Sequence, residues 1–232
     1  MNGLRLRVRT RSKVQDYRFV GEQPETRWWE AGYGRWTDFS RPTVIVESNR
    51  LFIAGIGSGR TDSKGAGIHY ALLGEFTTPV GAQAAARLVA SVCAQLSSKT
   101  RLAELGERLD QLDEDTWAAA INGEQKAVEG VASVLASLPV ASGEADPLRP
   151  RYQAWICEAG TPGFMELART AALVAEKKAG VAVYLNLASA EELHSFGHKG
   201  EAVGVVCREG PDRPKPFAPL SGGRSSRSQL SR

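Results

Sequence analysis

The sequence is short of several things, and each shortage removes a class of protein. Cysteine appears three times in 232 residues, at Cys93, Cys157 and Cys207, without a CxxC pair. A scattered, odd set argues against a disulfide framework or zinc knuckle and for a reducing, cytoplasmic setting. No apolar run nears the roughly 20 residues that span a bilayer, so no membrane partner is expected. Residues 1–20 also lack the apolar segment of a signal peptide. Histidine is scarce. His194 and His198 stand four apart with Glu191 a turn earlier, but Gly197 should end that helix and no further ligands accompany them. Neither a metal nor any other cofactor is assigned. Charge of one sign is not in excess either: the net +3 is too modest for the usual nucleic-acid footprint.

The rest of the composition is ordinary. An apolar fraction of 42% and a charged fraction of 24% suit a globular chain able to bury a sizeable core. Rich Ala, Gly and Arg usage fits a GC-rich bacterial gene. Charge is unevenly spread, with Arg5, Arg7, Arg9, Arg11 and Lys13 near the start and Arg224, Arg227 and Arg232 at the end.

Residues 1–78 read as a β-rich part. Leu4 to Thr10 alternates strictly, which predicts a half-buried strand with Leu4, Leu6 and Val8 inward and Arg5, Arg7 and Arg9 in water. Tyr17 to Val20 extends or re-enters that sheet. Residues 21–42 mix Trp28, Trp29, Tyr33 and Trp36 with glycines and charges, and no period organises them. They read as a long ordered loop. Thr43–Glu47 and Leu51–Ala54 flank Ser48-Asn49 as a hairpin, and Ile68–Phe76 returns as another strand.

Residues 79–140 read as helical. Apolar stripes at three- and four-residue spacing place helices over 81–97, 101–120 and 124–138. Residues 151–208 read as a βαβαβ portion. Its strands are Gln153–Cys157, Val181–Leu187 and Ala202–Cys207, with a helix opened by Thr161-Pro162 and another by the Ser189–Glu192 capping box. Such a unit predicts mainly parallel strands. Residues 209–232, rich in proline and serine, read as a disordered tail. The expected fold is α/β (α+β overall) in one compact domain.

The stretch Leu51–Phe76 concentrates the candidate chemistry. Gly55, Gly57, Gly59, Gly65 and Gly67 surround Arg60, Asp62, Lys64 and His69. It fits neither a Walker A nor a dinucleotide fingerprint, since the glycine order is wrong for both. Exposed amides in glycine-rich turns can still cradle an anion, with Arg60 and Lys64 adding donors. The plain structural alternative is a long hairpin tip with Asp62 in an Asx-type turn. Asp62 and His69 are a carboxylate–imidazole pair if the loop folds back, with Ser58 as the nucleophile at hand. No recognised nucleophile context accompanies them.

The expected function is therefore non-enzymatic: a cytoplasmic binding or adaptor subunit of a bacterial protein complex. Its contact surface is residues 21–70, through Arg60, Asp62, Lys64, His69, Trp28, Trp29 and Trp36, with a protein partner or an anionic small ligand. One alternative is a small enzyme acting on a phosphorylated or carboxylated substrate at the glycine-rich loop. Another is nucleic-acid binding by the N-terminal arginine face with the tryptophan loop, which combines phosphate contacts with base stacking.

Overall fold

The computed structural model describes residues 3–24, 42–47, 49–96, 102–138, 154–157, 181–187, 201–207 and 215–216. Its centre is an antiparallel sheet built from β1 (Leu4–Thr10), β2 (Arg18–Phe19), β3 (Thr43–Glu47), β4 (Arg50–Thr61) and β5 (Gly67–Phe76) in the order β2-β1-β5-β4-β3. The hairpin expected around Ser48-Asn49 is present, with Glu47 opposite Arg50 and Thr43 opposite Ala54. β5 then returns beside β4 and pairs on its far edge with β1, Val8 opposite Leu72.

Four helices follow: α1 (Pro79–Leu96), α2 (Ala103–Leu109), α3 (Glu114–Ile121) and α4 (Gln125–Ala136). They pack on one sheet face. Leu4, Val8, Leu51, Ile53, Ile56, Leu72 and Phe76 meet Leu88, Val92, Leu105, Leu109, Val131 and Leu135 in a single buried cluster. Burying each such aliphatic side chain stabilises the fold by about 1.5–3 kcal/mol. The helix expected over 101–120 divides into α2 and α3. Asp113 is the reason: its carboxylate accepts from the Thr116 amide at 2.7 Å and starts a new helix there.

One expectation about the fold is overturned. The described architecture is one sheet whose first five strands are all antiparallel, with four helices, and not an α/β fold with a separate portion of mainly parallel strands. The C-terminal strands β6 (Ala154–Cys157), β7 (Val181–Leu187), β8 (Glu201–Cys207) and β9 (Lys215–Pro216) extend that same sheet in the order β3-β7-β8-β6-β9. β7 enters antiparallel to β3, with Ile45 opposite Tyr184. Among the described strands the parallel pairs are β7–β8 and β6–β8; every other neighbouring pair is antiparallel. The physical reason is the hairpin order of the first half: short turns join antiparallel neighbours, and these strands already fix the sheet. The helices expected at 161–178 and from Ser189 lie outside the described residues. So does most of the 209–232 tail, of which Lys215 and Pro216 pair with β6.

Glycine sets how closely α2 approaches β4. A Cβ on Gly106 would stand 2.0 Å from the Gly57 carbonyl oxygen, so the two backbones touch directly. Gly55, at φ 74°, carries the irregularity where β4 slips register between Ile53 and Ile56. Glycines that read as a loop are thus mostly strand, and the turn itself is short.

Candidate functional site

The hairpin β4–β5 ends in the turn 62–66, with the Arg60 and Asp62 side chains turned into the protein. The Asp62 carboxylate accepts from the amides of Lys64 and Ala66, each at 2.8 Å, and pairs with Arg11 at 3.2 Å. The Ala66 amide bond, then that from Lys64, holds its pKa below the usual carboxylate value. This is the Asx-type turn that the sequence offered as an alternative. Asp62 is occupied in shaping the tip.

Arg60 is not a displayed cation. Its side chain is 10% exposed, and Nε and Nη2 reach Glu114 Oε2 of α3 at 2.9 and 2.8 Å. Nη2 also donates to the Arg11 carbonyl at 2.8 Å, and Nη1 to the Tyr70 hydroxyl at 3.1 Å. The guanidinium lies 5.2 Å from the Trp117 ring centre and 5.6 Å from that of Tyr70, close enough for cation–π attraction. A cation this enclosed needs such partners, since removing one would leave charge unpaired.

A second acid completes the network. Asp110, which caps the end of α2, accepts at Oδ1 from the Ser58 hydroxyl (2.9 Å) and the Tyr70 hydroxyl (2.7 Å). Its Oδ2 accepts from the Gly59 amide at 2.7 Å. Ser58 Oγ in turn accepts from the Arg60 amide at 2.8 Å. Burial raises the Tyr70 phenol above its ordinary value, so it stays a neutral donor and is a poor base. Ser58, Arg60, Tyr70, Asp110 and Glu114 therefore form a closed hydrogen-bond network joining the hairpin to α2 and α3.

Other sequence candidates fall elsewhere. Lys64 is exposed at the tip. His69 stands in β5 opposite Gly57, its amide donating to the Tyr17 hydroxyl and its carbonyl accepting from Thr10 Oγ1, both at 3.1 Å. The geometry thus links Arg60 to Asp62 through Arg11, and it places His69 away from the turn along the strand. Trp28, Trp29 and Trp36 lie outside the described residues, as do His194 and His198. Among the described residues no three of His, Cys, Asp and Glu are grouped to hold a metal ion.

Sequence reasoning missed Asp110, Glu114, Tyr70 and Trp117. The available signal was the acidic run Asp113-Glu114-Asp115 with Asp110 just before it, which interrupts the apolar stripe of 101–120.

The arginines of β1 also differ from expectation. Arg7 was expected in water, yet its side chain is 5% exposed, on the sheet face opposite the helices. Nη1 donates to Glu75 Oε2, while among the described residues nothing accepts from its buried Nε and Nη2. A buried donor left without an acceptor costs about 1–3 kcal/mol. Arg5 pairs with Glu22, and Arg9 lies over the Tyr17 ring at 5.5 Å.

The described surface beside the hairpin tip is exposed. There the loop 11–17 carries Val14, whose exposure of 83% exceeds that of any other large apolar side chain among the described residues. Lys13 and Lys64 stand exposed beside it, and the Ser63 amide donates to the Lys13 carbonyl. No described helix is long and apolar enough to cross a membrane. The chain matches no protein-family model, no curated protein and no solved structure.

Proposed function

We propose that this chain is a non-enzymatic, cytoplasmic binding subunit of a bacterial complex. It meets a protein partner with the end formed by the hairpin tip and the loop 11–17. The observation that carries this reading is Val14, an exposed apolar side chain next to exposed Lys13 on a loop that the Ser63 amide of the hairpin tip reaches, both loops being held in place. Ser12 Oγ accepts from the Gln15 amide at 3.1 Å, the Lys13 amide donates to Glu114 Oε1 at 2.6 Å, and Asp62 fixes the facing turn. A pre-ordered surface loses little conformational freedom on binding. The matching partner surface is an apolar pocket with an acidic rim, and the lysines would speed encounter.

The enzymatic alternative draws little support from the hairpin, because Ser58, Arg60 and Asp62 are spent on internal bonds. Nucleic-acid binding fares no better, because Arg7 is buried and Arg5 is paired with Glu22.

The test is retention of a protein from the source cell by tagged chain. Val14→Asp and Lys64→Glu should leave stability within about 0.5 kcal/mol, as surface changes do. Each should weaken the retained complex by roughly tenfold or more, as loss of an anchor does. Lys126→Glu on α4 should change nothing. A complex that survives the Val14→Asp, Lys64→Glu double variant, or the absence of any retained protein, sinks the reading.

A further inference from the structure

The second sheet face holds an arginine whose bonding is half complete. Arg7 uses Nη1 on Glu75, and its Nε and Nη2 are buried without an acceptor among the described residues. Those two nitrogens form one edge of the guanidinium plane, with two parallel N–H bonds. That edge matches the two oxygens of a carboxylate or phosphate. Glu75 does not supply them, since its contact with Arg7 is through Nη1 and leaves Nε and Nη2 without a partner among the described residues.

The surroundings choose between the two anions. Directly across the sheet from Arg7 lie Leu73, then Phe52, then Ile45, each at most 2% exposed. An apolar flank strengthens a charge-assisted bond but penalises any charge left unmatched. A phosphate dianion needs more donors than one edge provides, and Glu75 would repel its second charge. A carboxylate needs two donors and carries one charge.

We propose that the Nε–Nη2 edge of Arg7 is a binding site for the carboxylate group of a ligand, which it grips with two parallel hydrogen bonds.

Titration of nitrogen-15-labelled wild-type chain with sodium formate tests this, read at the Arg7 Nε–H resonance with sodium chloride at equal ionic strength as control. The expected result is a saturable shift with formate and none with chloride, together with a formate-dependent rise in melting temperature. Arg7→Lys keeps the charge and cannot offer two coplanar donors, so formate affinity should fall about tenfold or more. Failure of the Nε–H resonance to respond overturns the proposal, as does an equal melting rise in Arg7→Lys. A response to inorganic phosphate without one to formate overturns the choice of anion. Should Arg7→Lys not fold, the wild-type titration decides alone. An Nε–H resonance already at its anion-bound position in formate-free buffer would mean the chain fills the edge itself, and also overturns it.

Discussion

Arg60 and Arg7 are both nearly buried arginines on neighbouring parts of one sheet, and their surroundings differ in kind. Every nitrogen of Arg60 has an acceptor: Glu114, Tyr70 or the Arg11 carbonyl. Arg7 has one, on Glu75. The first arrangement is what a structural cation needs, because each side-chain nitrogen has at least one acceptor and the charge is paired. The second carries donors that the described scaffold does not use. Burial alone therefore does not say what an arginine is for; the completeness of its bonding does.

The sharpest way to break this contrast is Arg60→Ala. It would strand Glu114, leave the Tyr70 hydroxyl with one partner fewer and uncover Trp117. Discounted for the residual exposure of the pair, the expected loss is about 3 kcal/mol, read as a lower urea midpoint at unchanged slope. A loss under about 0.5 kcal/mol, typical of surface positions, would return Arg60 to the list of contact residues.

A smaller effect is expected from Tyr70→Phe, which removes the hydroxyl between Arg60 and Asp110 at a cost of about 1–2 kcal/mol. Its pH dependence adds a check. Burial raises the Tyr70 pKa above the unfolded value near 10. Above that pH the unfolded chain gives up a proton that the folded chain retains. Stability is therefore complete below about pH 10 and declines as pH rises beyond it. Tyr70→Phe should remove that share of the alkaline decline, measured by denaturant titration across the alkaline range. An unchanged slope would mean that Tyr70 ionises as freely as in the unfolded chain.

The smallest expected change is Arg7→Met. One hydrogen bond is lost and an incompletely bonded charge leaves an apolar flank, so the net cost should stay within about 1 kcal/mol in ligand-free buffer. Calorimetry of Arg7→Met beside Arg60→Ala measures the contrast directly. Equal losses would show that Arg7 is as structural as Arg60.

These two arginines also mark how far the sequence could be read. Alternation in Leu4–Thr10 placed Leu4 and Val8 on the helix-covered face correctly. It could not show whether the other face is covered, since a period of two assigns sides and not solvent. Hence Arg7 was expected in water. Arg60 was misjudged for a different reason. Its glycine neighbours suggested an open loop, whereas the missing side chains are what let α2 come close. The partners that enclose it, Tyr70, Glu114 and Trp117, come from other elements and leave no local trace. The split between α2 and α3 was legible in principle from Asp113 with Thr116 three residues on. The strands of the last third were legible as strands. Their membership in the sheet begun by residues 4–76 was not, because pairing is decided between distant segments.

Position 106 narrows the sequences that can carry this fold. Glycine inside a helix ordinarily costs about 1 kcal/mol against alanine, so drift should favour replacing it. Here a single added methyl would collide with the Gly57 carbonyl, and α2 would have to tilt away from β4. Asp110, at the end of that short helix, would lift off Ser58 and Gly59 in the same movement. The exposed neighbours Glu104, Glu107 and Arg108 face no such barrier. Lineages descended from this chain should vary freely around position 106 and hold it fixed, and the constancy of that one glycine would track the survival of the network some distance away.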